Sequence, residues 1–210
     1  MVKKVEVLVL SGLLGAPCVI ILSVCAASPS LFAVHPAANA VAFLLCFPLG
    51  LYAMLERKGV PDFRTRVFLV KVHLFSQVVA MFLLSIGGAA AYWTKNAFGK
   101  EHLTSTHSWV AVVTSILSTL NLLGGLVTTF GRKKTRWQWK DLTHRVNGTL
   151  AIMGGGSSVI LGMYSGTWGS VQLGEDLQFK VVSSVATAYL LLFVKGVMTS
   201  FETPLAKLSD

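Results

Sequence analysis

Charge is scarce in this 210-residue chain: only 13% of residues are Asp, Glu, Lys or Arg, and just nine are acidic. A soluble domain carries about a quarter charged residues. With 53% hydrophobic residues and a mean hydropathy of +0.66, one compact globule could not hide its apolar surface from water, so the solvent implied is a lipid bilayer. Cysteine is sparse too. Cys18, Cys25 and Cys46 sit inside apolar runs without Cys-x-x-Cys spacing, which excludes a disulfide framework or a cysteine zinc site and leaves them as small hydrophobes. The basic residues, 18 for a net charge of +9, fall in short runs between long uncharged stretches, the pattern of membrane loops. A nucleic-acid-binding stripe is not present. Nor is a phosphate-binding loop, a flavin fingerprint or a nucleophile–base constellation.

A membrane-crossing helix needs roughly 20 apolar residues. The stretches between charges predict six, at about 7–27, 37–55, 68–94, 107–131, 142–167 and 181–201. Ser28-Pro29-Ser30 and His35-Pro36 divide the first long run into two. Ser165-Gly166-Thr167-Trp168-Gly169 ends the fifth span. Lys195, near one end of the sixth, is expected to snorkel to the headgroups. Alternating the loops puts fifteen Lys and Arg residues on one side and only Lys95, Lys100 and Lys180 on the other, which places both termini in the cytoplasm. A rival reading makes residues 1–27 a cleaved signal peptide. Against it, the 21 uncharged residues of Val7–Ala27 exceed the usual apolar core of about 7–15. The sequon Asn147-Gly148-Thr149 falls at the cytoplasmic start of the fifth span, where it would not be glycosylated.

Four of the five histidines, His35, His73, His107 and His144, sit at or just inside the starts of the second to fifth spans. Their intervals of 38, 34 and 37 residues each equal one span plus one loop, so consecutive histidines lie at opposite faces and alternate ones share a face. His35 pairs in depth with His107, and His73 with His144. One such histidine alone is ordinarily an interfacial residue bonded to a carbonyl or headgroup. Four at matched depths on consecutive helices point instead to ligands, and two neutral imidazoles on facing helices suit the axial positions of a haem iron. Zinc fits less well, because two separate two-histidine sites lack the further ligands of a tetrahedral ion. On a rise of 1.5 Å per residue the two levels are ~20 Å apart. Glycines within the spans, Gly87-Gly88, Gly124-Gly125 and Gly154-Gly155-Gly156, permit close helix packing, against a macrocycle or simply against each other.

In its whole length the chain resembles the cytochrome b561 family, through His35-Pro36, Lys71-Val72-His73, His107-Ser108-Trp109 and His144-Arg145. Its compactness and the outer segment Gly99-Lys100-Glu101-His102-Leu103-Thr104-Ser105-Thr106-His107 are most similar to the short cytochrome b561 domain-containing proteins, the ascorbate-dependent transmembrane ferrireductase type. The resemblance implies an all-α membrane protein with six transmembrane helices in one domain. A central four-helix bundle, the second to fifth helices, would hold two b-type haems: His35 and His107 on the outer iron, His73 and His144 on the cytoplasmic one. It also implies electron transfer from cytoplasmic ascorbate to monodehydroascorbate or a ferric chelate on the far side, an endomembrane location (endoplasmic reticulum or vesicle) rather than the plasma membrane, and it admits a homodimer.

An ascorbate monoanion needs fixed positive charge beside the cytoplasmic site, and Lys71 and Arg145, which adjoin His73 and His144, are the first candidates. Arg66 and Lys140 come second, since they also serve as topology signals. On the outer side His102, five residues before His107, is a candidate to bind substrate or relay a proton, with Lys100 assisting. Thr104 departs from the plant-type pattern, which has an aromatic before the histidine of the fourth helix, so the resemblance does not fix the outer acceptor. Two other functions fit six spans: a proton-coupled small transporter and a haem subunit of a quinone-linked complex. A transporter should carry polar or broken-helix features near mid-membrane, and the predicted midspans hold little beyond Ser, Thr, Gln77 and Asn121. The short loops leave little surface for docking partner subunits.

Overall fold

The computed structural model describes residues 2–130 and 142–205, which are helical almost throughout, with no strand among them. The elements are α1 (Val2–Ala27), α2 (Leu31–Ala40), a π-helical turn (Val41–Cys46), α3 (Phe47–Arg57), α4 (Phe63–Ala97), α5 (Thr106–Phe130), α6 (Leu142–Tyr164) and α7 (Thr167–Leu205). Among the described residues six stretches are long and apolar enough to cross a membrane, α2, the π-turn and α3 together making one of them. The protein is an all-α multi-pass membrane protein.

The second span begins at Leu31, not near residue 37. Ser30 is its N-cap, with an extended backbone and an Oγ that accepts from the Ala33 amide at 3.0 Å. The chain therefore breaks at Ser28-Pro29-Ser30 alone. Pro36 lies inside the helix, just past its first turn, and costs the bond to the Phe32 carbonyl without ending the helix. His35 is consequently carried on a helix rather than on the loop before it. At the other end, Gly174 adopts φ 72° and ψ 163°, a conformation essentially restricted to glycine, and splits residues 167–173 from the membrane helix that follows. The helix that carries the sixth span thus starts soon after Gly174, ahead of the apolar run from residue 181.

In packing, α4 lies on α2 and α3, while α5 lies on α6. These two halves face each other across the bundle. Helices α1 and α7 close one side, α1 on α2 and α7 on α6. The apolar core sits there, around Cys18, Ile21, Leu44, Val185 and Leu192. On α5 only Thr114 and Ser118 are buried, so most of that helix faces lipid or the space between the halves.

Lys195 finds its partners within the protein. Its Nζ lies 2.6 Å from Glu6 of α1 and 2.8 Å from Glu56 of α3, and 4.8 Å from the centroid of the Tyr52 ring. A cation held between two carboxylates has no need to reach the headgroups, and it ties α7 to the two helices beside it.

Candidate functional site

His35, His73 and His107 each have a backbone carbonyl on ring Nδ1: His35 has Gly87 at 2.9 Å, His73 has Gly50 at 3.0 Å and His107 has Ser158 at 2.9 Å. A carbonyl can only accept, so Nδ1–H donates and Nε2 keeps its lone pair. Each bond runs to the neighbouring helix of the same half: α2 to α4, α4 to α3, α5 to α6. His144 lies against α5 in turn, where a Cβ at Gly125 would come 3.1 Å from its Cε1, and a Cβ at Gly162 would come 2.9 Å from Cε1 of His107. Because His73 and Gly87 both lie on α4, the two levels are about 21 Å apart along its axis.

Between the halves the rings pair. The His35 and His107 centroids are 6.1 Å apart with planes at 83°, and those of His73 and His144 are 6.3 Å apart at 78°. A metal–imidazole bond is about 2.0–2.1 Å and a ring nitrogen lies about 1.1 Å from its centroid, so two imidazoles on one iron have centroids about 6.3 Å apart. Both pairs match within a few tenths of an ångström. With Nδ1 of His35, His73 and His107 turned to carbonyls, this spacing is not that of rings bonded to each other. Among the described residues no three His, Cys, Asp or Glu side chains come together as a metal site, so a tetrahedral zinc ion finds no ligand set. A haem brings the other four nitrogen ligands itself.

The surroundings fit such a group. A cavity of about 620 Å³ opens beside His73 and His144, bounded by Gln77, Ser118, Asn121 and Gly125 among others, within the range of about 300–1,000 Å³ for cofactor sites. Gln77 Nε2 and Ser118 Oγ are buried there without a partner. At the other level Asn39 Oδ1 is likewise buried without a partner, while its amide Nδ2 donates to the His35 carbonyl at 2.8 Å. Buried polar groups left open in this way mark space that a further molecule completes.

Residues 34–169 match the family model for eukaryotic cytochrome b561, a stretch that holds all four paired histidines. The chain belongs to the cytochrome b561 family. It is 22% identical over 165 residues to the transmembrane reductase CYB561D2 of Mus musculus, covering 78% of this chain and 74% of that protein. The Bos taurus protein of the same name is 23% identical over the same coverage. The probable transmembrane reductase CYB561D1 of Mus musculus is 27% identical over 146 residues, 69% of this chain and 63% of that one. Cytochromes b561 are transmembrane electron-transfer proteins that bind haem b, and the spacing within the two histidine pairs fits such a group.

Of the basic residues expected at the cytoplasmic site of this cytochrome b561, Arg145 lines the cavity. Lys71 does not. Two residues before His73 is about 200° around a helix, and Lys71 instead borders a shallow surface cleft with Phe63, Arg64 and Phe68. Arg66 is exposed near the start of α4, and Lys140 lies outside the described residues. Arg57 and Lys58 line the cavity and were not anticipated. Arg57 is seven residues, two helical turns, beyond Gly50, but that signal is readable only once Gly50 is known to hold His73. In the outer loop the His102 ring stacks on Tyr92 at 4.8 Å and its Nε2 donates to Asn96 Oδ1 at 2.8 Å. Lys100 Nζ lies 6.0 Å from the Phe98 ring centroid. Both are exposed, at the end of the bundle that carries His107.

Proposed function

We propose that this cytochrome b561 moves electrons from ascorbate on the cytoplasmic face to monodehydroascorbate or a ferric chelate on the other, with one b-type haem between His35 and His107 and a second between His73 and His144. The observation that carries the reading is the pairing of the rings at 6.1 and 6.3 Å. Bound there, haem supplies one-electron chemistry by cycling between ferric and ferrous iron. The chain does the rest. Nδ1–H bonds to Gly87, Gly50 and Ser158 set the tautomer and orientation of their rings and raise the basicity of Nε2.

At the cytoplasmic end Arg57, Lys58 and Arg145 give the cavity mouth the positive charge that attracts a monoanion and orients it by charge-assisted hydrogen bonds. The side assignment rests on the loop basic residues, fifteen against three. At the outer end His102, already ordered by Tyr92 and Asn96, offers an imidazole for the proton or metal of the acceptor, beside Lys100. An endomembrane location and a homodimer belong to the same proposal and rest on the family resemblance. The π-turn is a mid-span irregularity of the kind a transporter would use, but it is apolar and the Phe43 carbonyl within it is taken by Tyr189, which favours the electron-transfer reading.

The test is reconstitution of the haem-loaded protein in liposomes with a ferric chelate inside and ascorbate outside. Internal ferrous iron forming only in liposomes that contain the protein supports the reading. No internal reduction by protein that carries both haems would overturn it.

A further inference from the structure

Mid-membrane, the π-turn produces an arrangement that holding the cofactors does not require. In the π register Phe47 N–H bonds to the Ala42 carbonyl five residues back. The next donor would serve the Phe43 carbonyl, but position 48 is proline and has no N–H. Tyr189 of α7 replaces it, its hydroxyl donating to Phe43 O at 2.6 Å from a site where the residue is only 3% exposed. Two glycines of α6 make room: a Cβ at Gly155 would run into the Phe43 ring, and one at Gly156 into the Tyr189 ring.

The Phe43 ring stacks on Phe47 with centroids 5.0 Å apart. Phe47 borders the cavity of His73 and His144. Phe43 touches α6 at Gly155, one turn from Ser158, whose carbonyl holds His107. One aromatic pair therefore reaches from the wall of the cytoplasmic site toward the outer one, both rings almost fully buried.

We infer that the Phe43–Phe47 stack is the bridge through which an electron tunnels between the two haem sites, and that Tyr189 is the positioning residue that holds it. The inference rests on the two-haem reading above. One electron leaves the reduced cytoplasmic centre and arrives at the oxidised outer centre, and neither ring is itself oxidised. Dense packing shortens the non-bonded gaps that such a path must cross. Leucine in place of phenylalanine keeps the site apolar but removes the stack.

The test uses the full-length haem-loaded protein and variants Phe43→Leu, Phe47→Leu and Tyr189→Phe, with Leu45→Ala, a lipid-facing residue of the same turn, as control. Haem content and midpoint potentials are measured first. Pulse reduction of the oxidised protein then follows re-equilibration between the centres, assigned with the single-site variants His35→Ala and His73→Ala. The expected result is two haems throughout, with equilibration slowed several-fold beyond what the measured potentials account for in Phe43→Leu and Phe47→Leu, less in Tyr189→Phe and not at all in Leu45→Ala. Unchanged equilibration in both leucine variants would overturn the inference. Loss of haem from them would overturn it too, since the rings would then serve to hold the cofactor. Failure of the underlying reading shows separately, as a wild-type protein that does not bind two haems.

Discussion

His35 Nδ1 lies 2.9 Å from the carbonyl oxygen of Gly87, 52 residues further along the chain, and Gly87 is also a position where a side chain would collide with the Asn39 amide and the His35 carbonyl. The carbonyl orients the ring and the missing Cβ lets α2 approach α4 closely enough to reach it.

Neighbouring glycines provide matched tests of that relationship. Gly125 faces His144, whereas a Cβ at Gly124 would meet nothing within 4 Å. Gly125→Ala is expected to displace His144 and lower haem content toward one per chain. Gly124→Ala should leave both haems bound and, by improving helix propensity by about 0.5–1 kcal/mol, leave melting unchanged or slightly raised. Gly87→Ala against Gly88→Ala repeats the comparison at the outer site. Absorbance spectra of the purified variants read the outcome.

Lys195→Met leaves Glu6 and Glu56 without their shared cation. The side chains are 19–30% exposed, so part of the interaction is screened, and the expected destabilisation is on the order of 1–3 kcal/mol. Adding Glu6→Gln and Glu56→Gln should recover much of it. Thermal melting in detergent measures both.

Arg145→Gln removes a cavity-lining cation without touching a ligand. Loss of one charge-assisted hydrogen bond raises the half-saturating ascorbate concentration roughly ten- to a hundredfold, with haem content unchanged. Lys71→Gln, on the other face of α4, should change it little. Stopped-flow reduction at several ascorbate concentrations separates the two.

Asp62 caps α4, its Oδ2 accepting from the Thr65 amide and hydroxyl, each at 2.7 Å. These bonds hold its carboxyl below the usual carboxylate range. A depressed folded-state pKa means the stabilisation is complete above the ordinary carboxylate pKa and lost as pH falls through the depressed value. Asp62→Ala should therefore melt below wild type at neutral pH, with the gap closing in acid, while Asp62→Asn, which keeps a capping oxygen, retains most of the neutral-pH stability. Melting curves across that pH range check the sign.

Much of this was legible in the sequence. Six spans follow from uninterrupted apolar runs, and the depth pairing of His35 with His107 and His73 with His144 follows from intervals of one span plus one loop. What was hidden depends on contacts between distant segments. Nothing local distinguishes Glu6 and Glu56 from loop charges, so the clamp on Lys195 appears only when α1, α3 and α7 meet. The π-turn has no composition of its own, and its freed carbonyl matters only because Tyr189 arrives from α7. Lys71 borders a surface cleft and not the cavity, because two residues along a helix is nearly the opposite face, whereas Arg57 reaches the cavity from a different helix.

The pairing itself is tested most directly by counting haem per chain in single and double histidine variants. If His35 and His107 share one iron and His73 and His144 the other, each single His→Ala loses one haem, and His35→Ala/His107→Ala loses no more than either alone, while His35→Ala/His73→Ala loses both. A same-pair double variant that loses both haems, or single variants that keep full haem content, would contradict it.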